Sequence, residues 1–495
     1  MPRRARAATV ALSAAFLATL VFGSVPGSPF QPVLPAPPGG PLAALGRLVG
    51  MDGIPATTAP FVGAALLALV AAAFVWVLAE TRAGGVGTRT AWWLAVAAHV
   101  LVLLAPLLFS RDVYSYGAYG RIAAIHGANP YVVTPAAYPD DALVQFVGPK
   151  WLDTPAVYGP AFTALASIVA RSVGEPTTLV AWFRWIAVAA SLGTLALLRS
   201  LVRRRAPDRE ALAVLAFGAN PAVLLYGVAG GHNDLLVALG VVGALVLMEG
   251  GRRTAAAAAL ALAALVKASA AVPLLLLFMA IAGAAGRGRR VRALAAPVGA
   301  ASALLAFSAA PYLTRTDPTL GLAELSTHEG WLAPSRFARR ILDVVGLGAV
   351  ARVAFAVALV LAVAALARAA WGRASVAVDD LGASFAWGLL AVLLLAPVLL
   401  PWYASWLLPI AWFLPWRAWL AAVGSSVALA VSLFATEPSR AGAAFDLNLL
   451  LGHWAITPVV VVLLAVAAKE LAGRLRADAP LGDVPAREPE RHGER

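Results

Sequence analysis

The chain has 495 residues, of which 61% are hydrophobic and 13% charged, against roughly half and a quarter in a soluble globular domain. An ordinary core cannot hide that much apolar surface, which excludes a soluble protein. The net charge of +13 does not point to nucleic acid, because the arginines sit in short clusters between apolar runs, as membrane topology demands. The absence of cysteine excludes disulfides, thiol catalysis and zinc–thiolate sites.

Arg3, Arg4 and Arg6 precede an apolar run to about residue 22. The run is long for a signal-peptide core and no clean A-x-A site follows, so it reads as a first membrane helix. Further apolar spans lie at 58–80, 91–109, 178–200, 211–228, 233–249, 254–284, 293–311, 345–370, 382–400, 404–416, 418–436 and 454–471. The 254–284 run is too long for one untilted helix. It is interrupted at Lys267 and Pro273 and reads as two short helices. The expected fold is an all-α polytopic membrane protein with about 13–14 transmembrane helices.

Basic residues set the expected orientation. If 160–172, "PAFTALASIVARS", dips into the membrane and returns, every dense arginine cluster falls on the cytoplasmic side. Both termini are then cytoplasmic. The outer face receives 25–57, 110–159, 312–344 and 437–453. The membrane domain is expected over 1–473, with 110–159 and 312–344 as its two large outer loops and 474–495 as a disordered, charged cytoplasmic tail.

Chemistry-bearing residues gather in those outer segments. Asp112, in "SRDVYSYGAYGR", sits at the mouth of an uncharged span. A carboxylate at the membrane edge is retained as a helix cap, an ion-pair partner or a catalytic group. As a cap it would open a surface helix from Val113 to His126. Tyr114, Tyr116 and Tyr119 suit either interfacial anchoring or stacking on a sugar ring. In "KWLDTPAVYGP", Asp153 is a second outer carboxylate, and Tyr158, Gly159 and Pro160 form a turn into the short helix. In "NPAVLLYGVAGGHNDLL", the Gly230–Gly231 pair permits close backbone approach. It precedes His232, Asn233 and Asp234, which read as a capping turn or a ligand site. His232 and Asp234 are too few ligands for a zinc site. Lys267 is a cation inside an apolar run, and a functional hypothesis by default. Its charge suits a phosphate. Arg336, Arg339 and Arg340 break the positive-inside trend and point to an anionic ligand or headgroup. "PWYASW" at 401–406 reads as an aromatic belt around a broken helix.

The ordered set "SRDVYSYGAYGR", "GANPY", "WLDTPAVYGP", "NPAVLLYGVAGGHNDLL" and "PWYASW" resembles the polyprenol-phosphomannose-dependent α-1,6-mannosyltransferases of the GT-C membrane glycosyltransferases. The resemblance covers roughly 90–410. It implies a GT-C-like helical bundle whose outer loops carry short surface helices and whose active site opens to the outer face of the plasma membrane. It implies a polyprenyl-phosphate-linked mannose donor, a lipid-anchored α-1,6-mannan or lipomannan acceptor, and transfer with inversion. The essential carboxylate of the first outer loop falls on Asp112, which would act as the base. Lys267 and Arg336, with Arg111 behind them, would hold the donor phosphate. Tyr114, Tyr116, Asp153, Tyr158, His232, Asn233 and Asp234 would contact the sugars or the acceptor, and Asp153 or Asp234 would be the base if Asp112 is not. Many relatives carry paired acids where this chain has Arg111–Asp112, so no metal is assigned, and a divalent cation stays open. Two other readings stand beside this one: a GT-C enzyme using another lipid-phosphate sugar such as arabinose, and a transporter or lipid flippase.

Overall fold

The structure, a computed structural model, describes residues 1–313, 319–373, 375–437, 441–477 and 479–483. Among these residues the fold is helical, with no strand.

The first half of the chain runs α1 (Arg3–Ser24), α2 (Pro41–Leu48), α3 (Ala59–Arg82), α4 (Thr88–Leu103), α5 (Asp112–Ala124), α6 (Pro149–Leu152), α7 (Pro160–Ser172), α8 (Pro176–Arg205), α9 (Glu210–Gly218), α10 (Asp234–Glu249), α11 (Arg253–Val266) and α12 (Ala271–Ala284). The second half runs α13 (Arg290–Ala309), α14 (Leu322–Thr327), α15 (Pro334–Asp343), α16 (Gly348–Trp371), α17 (Val378–Leu395), α18 (Ala404–Leu407), α19 (Trp416–Ala430), α20 (Ala443–Leu451) and α21 (Thr457–Arg476).

Seven of these segments are long and apolar enough to cross a membrane, or eight if the bent pair formed by Pro207–Gly218 and Ala222–Val228 counts as one span. The sequence suggested more, and the difference has local causes. The expected span at 404–416 is a series of short 3-10 and α turns from Pro401 to Phe413, all buried in the bundle. Prolines at 401, 409 and 415 each remove a backbone donor and prevent one continuous helix. Several other apolar helices, α4, α11 and α12 among them, have only 14 to 16 residues. The 254–284 run breaks at Lys267, whose backbone is extended at φ −154°, ψ 129°. Pro273 does not break it, because it lies in the first turn of α12, where its missing N–H has no helical partner to lose. The expected dipping segment is α7, a 13-residue helix packed along α5.

Burial is uneven. α17 buries 83% of its span, whereas the Arg287–Ala309 segment and α16 bury 6% and 11%, so the latter two form the apolar periphery. At one end of the bundle arginines tie helix ends together. Arg205 bonds Glu249 at the end of α10 and Asp379 at the start of α17 (2.8 Å). Arg209 donates to the Trp412 carbonyl, and Arg290 stacks over Trp371. The basic clusters around Arg205, Arg209 and Arg290 thus share one end, and Asp112 lies at the other, together with the Arg336 cluster. The tail is ordered further than the sequence suggested: α21 continues to Arg476, Trp387 donates to the Leu481 carbonyl, and Arg474 pairs with Asp483. Residues 484–495 lie outside the described residues.

Candidate active site

The segment entering α5 is strained. Phe109 adopts φ 65°, a left-handed conformation that costs a bulky residue on the order of 1–3 kcal/mol. It is held by its N–H to the Phe30 carbonyl (2.7 Å) and by ring contacts to Phe30 and Tyr226. The turn after it delivers Asp112 to the first position of α5, where its side chain makes no cap. The capping role expected for Asp112 is therefore taken over in part by the Ser110 hydroxyl, which accepts the Asp112 N–H (3.1 Å). The carboxylate instead faces the cavity that Tyr158 also lines, and it stays 21% exposed. Burial pushes its carboxyl up to about 6, against the opposing pull of the Lys267 ammonium.

Beneath Asp112 the Gly230–Gly231 turn packs tightly. A Cβ on Gly230 would stand 2.4 Å from the Tyr226 carbonyl, and Gly231 has φ 66°. The turn follows a π-helical segment, Ala222–Val228, an irregularity that recurs at functional sites. It buries His232, Asn233 and Asp234. His232 Nδ1 is 3.7 Å from Asp112 and 4.0 Å from Asp234, and its ring stacks on Trp402 at 3.8 Å. The break after α11 places Lys267 Nζ at 2.8 and 3.0 Å from the two oxygens of Asp234. The same ammonium lies over Tyr403 and Trp406, at 4.3 and 5.4 Å from the ring centres. Gly159 lets α7 start against that break: a Cβ there would meet the Leu265 carbonyl at 2.1 Å. Asp234 is thus occupied by an ammonium, and no group of three metal-ligating side chains occurs among the described residues.

Asp112 and Lys267 line a cavity of about 290 Å³ with Lys150, Tyr158, Arg336 and Tyr403. Arg336 stacks over Trp331 at 4.2 Å, and its Nη1 donates to the Glu329 carbonyl. Its Nε is buried with no partner. Partial desolvation and the Arg336 guanidinium hold the Lys150 ammonium below its usual value, and desolvation with Arg340 does the same for Arg336. The cations here outnumber the anions that could neutralise them.

Two further spaces adjoin this cavity. An apolar groove of about 300 Å³ runs between α7, α11, α12 and α13 and shares Val157 and Ala268 with it. On the other side a wider cavity of about 660 Å³ shares Asp112, Lys150, Trp151 and Leu400. Asp112 stands at the junction between the two polar cavities.

Arg111 lies in the wider cavity, where Glu437 takes its guanidinium in a two-pronged pair with Nε at 2.6 Å. It therefore does not stand behind Lys267 and Arg336. Tyr114 and Tyr116 do not line the cavity of about 290 Å³. Tyr114 is buried against Phe146, and the Tyr116 hydroxyl reaches His232 (3.3 Å) among Tyr158, Phe162 and Phe183. The sugar-stacking role expected of them does not fit this packing, and α5 is a buried helix rather than a surface one. Asp153 ends α6 exposed, outside both cavities. Sequence reasoning passed over Lys150 as a candidate and took Trp402, Tyr403 and Trp406 for a membrane belt; the structure makes these aromatics the floor under His232 and Lys267.

Comparison with known proteins supplies the remaining constraint. Residues 10–283 match the family described as "Alpha-(1->6)-mannopyranosyltransferase, N-terminal domain". Among individual relatives, "Alpha-(1->6)-mannopyranosyltransferase A" of Mycobacterium tuberculosis is 30% identical over 190 residues, 34% of this chain and 36% of its own. "Probable alpha-(1->6)-mannopyranosyltransferase" of Mycolicibacterium smegmatis is 33% identical over 140 residues, 28% of this chain and 25% of its own. The chain therefore spans about a third or less of the length of these relatives. The family match runs through Asp112, Asp234 and Lys267 and covers more than half of the sequence. The chain belongs to the alpha-(1->6)-mannopyranosyltransferase family.

Proposed function

We propose that the protein transfers mannose from a polyprenyl-phosphate-linked donor to a hydroxyl of an α-1,6-linked, lipid-anchored mannan acceptor, with inversion, at the outer face of the plasma membrane. One observation carries the reading: Asp112 stands between a cation-rich cavity that adjoins an apolar groove and a wider cavity on its other side. A lipid-phosphate sugar needs the first arrangement, and a hydrated glycan acceptor suits the second.

The chemistry follows from the residues. The Asp112 carboxylate takes the proton of the acceptor hydroxyl as that oxygen attacks the anomeric carbon. The bond from that carbon to the phosphate oxygen breaks, and its electron pair leaves with the lipid phosphate. The developing negative charge faces Lys267, Arg336 and Lys150, and fixed cations aimed at such a charge lower the barrier. A carboxyl pushed up to about 6 is ionised at neutral pH and more basic than an ordinary aspartate. Asp234 keeps the Lys267 ammonium in place, and Tyr158 lines the cavity with the base. The site's charges cluster where helices end, not along a path through the bundle, which favours group transfer over transport. The membrane domain over 1–473, the cytoplasmic placement of both termini, and the outer position of Asp112 are parts of the same proposal, supported by the gathering of the clusters around Arg205, Arg209 and Arg290 at the opposite end.

The test uses membranes from cells overexpressing the full chain, supplied with radiolabelled polyprenyl-phosphomannose and a short α-1,6-mannoside. Mannose transfer above control membranes is expected. Transfer from polyprenyl-phosphoarabinose alone would overturn the sugar, and transfer from neither donor would overturn the reaction.

A further inference from the structure

At the end of the bundle opposite Asp112, a cavity of about 370 Å³ opens between the end of α3, the start of α9 and the start of α19. Its charged lining is Arg82, Asp208 and Arg209. None of the three makes an ion pair among the described residues, in contrast to Arg205 and Glu249 near by. Arg82 lies with its guanidinium 3.7 Å above the Trp416 ring. Arg209 gives one N–H to the Trp412 carbonyl at 3.1 Å. Trp416 and Trp419 stack at 4.7 Å and form an aromatic side wall. Trp412 also lines the cavity; it is 3% exposed, and its indole N–H is buried without an acceptor.

These features describe a ligand. Two guanidiniums and a buried indole donor ask for an anion with several acceptor oxygens, and guanidinium matches phosphate in shape and charge. An aspartate in the same cavity would repel a purely anionic ligand, yet it would pair with an ammonium. Indole walls can also accept an ammonium and are at home where a bundle meets the headgroup layer. A phosphodiester bearing a primary ammonium satisfies all of these groups together. We propose that this cavity is a binding site for a phosphoethanolamine lipid headgroup, with the phosphate on Arg82, Arg209 and the Trp412 N–H, and the ammonium on Asp208. The site is separate from the transferase cavity. The bent span formed by α9 and the π-helical segment connects the two, since it starts beside the lipid site and ends at Val228, just before the turn that carries His232.

The experiment is a lipid titration of the detergent-purified full chain, read by native mass spectrometry. The probes are dioleoyl phosphatidylethanolamine, the corresponding phosphoglycerol and phosphocholine lipids, and soluble glycerophosphoethanolamine as competitor. The ethanolamine lipid should bind tightest, and glycerophosphoethanolamine should displace it. Arg82→Ala, at an exposed position, should lower its affinity about tenfold. Asp208→Asn, a near-isosteric change at the surface, should retain the fold and remove the preference for ethanolamine over choline. Tighter binding of the phosphoglycerol lipid, an unchanged preference in Asp208→Asn, or undiminished binding in Arg82→Ala would each overturn the assignment. Lipid binding that the soluble headgroup cannot displace would show attachment by the acyl chains and would overturn it as well.

Discussion

The two sides of the cavity at Asp112 differ in how their charges are compensated. On one side Asp234 and Lys267 form a close pair, with His232 stacked beneath on Trp402 and hydrogen-bonded to Tyr116. Only Asp112 is left without a fixed cationic partner. On the other side Lys150 and Arg336 face the space with no carboxylate of their own, because Glu329 is taken by Arg339 (2.9 Å). The first side is electrostatically complete apart from a base, and the second is complete only when an anion arrives. Under the proposed reaction the difference implies a division of labour: one wall would carry the proton transfer and lend Lys267 to the leaving phosphate, and the other would recruit the phosphate.

The largest effects should come from breaking the first wall. Asp112→Asn keeps the shape and removes the proposed base, so kcat should fall on the order of 10²–10⁴-fold, measured as mannose transfer by equal amounts of folded protein. Lys267→Met leaves the buried Asp234 carboxylate uncompensated, which costs about 3–5 kcal/mol and should appear as a lower Tm in detergent. A Lys267→Met/Asp234→Leu double variant should regain most of that Tm yet remain without activity. Recovered activity would show that the pair serves packing alone. On the second wall, Arg336→Ala should raise KM for the lipid donor about tenfold and lower kcat less. A pure kcat loss with unchanged KM would place Arg336 on the leaving phosphate only in the transition state and would erase the proposed division. The smallest effect belongs to Tyr114→Phe. Its hydroxyl is buried without a partner, so stability should change by about 0.5 kcal/mol or less and transfer should be unaltered. A large activity loss there would restore Tyr114 to the sugar site.

The first wall was readable in the sequence because an oily chain makes every charge conspicuous. Asp112, Asp234 and Lys267 each interrupt or begin an apolar run, and His232 follows a glycine pair. Their convergence was not readable, since no local spacing links residue 112 to 234 or 267. The same limit hid the Arg111–Glu437 pair, whose partners are 326 residues apart. Lys150 looked like an ordinary loop lysine, and only the cavity it lines with Arg336 and Asp112 marks it as a candidate. Trp402, Tyr403 and Trp406 were misread because aromatics beside a proline look alike whether they face lipid or lie under a histidine and a lysine. Tyr114 and Tyr116 erred the other way: the interfacial tyrosine pattern is sound, but α7 covers their helix. The helical class followed from composition. The number of spans did not, because apolar composition alone does not reveal where a proline series turns a span into buried irregular turns.

The central claim, that Asp112 is the base, is tested most directly by kcat/KM for mannose transfer as a function of pH in wild type and Asp112→Asn. With burial pushing the Asp112 carboxyl up to about 6, the wild-type rate should be flat near neutral pH and fall as pH drops through about 6, where the base becomes protonated. The residual rate of Asp112→Asn should lack that acid limb. An unchanged limb in Asp112→Asn, or a variant that transfers at the wild-type rate, would contradict the account.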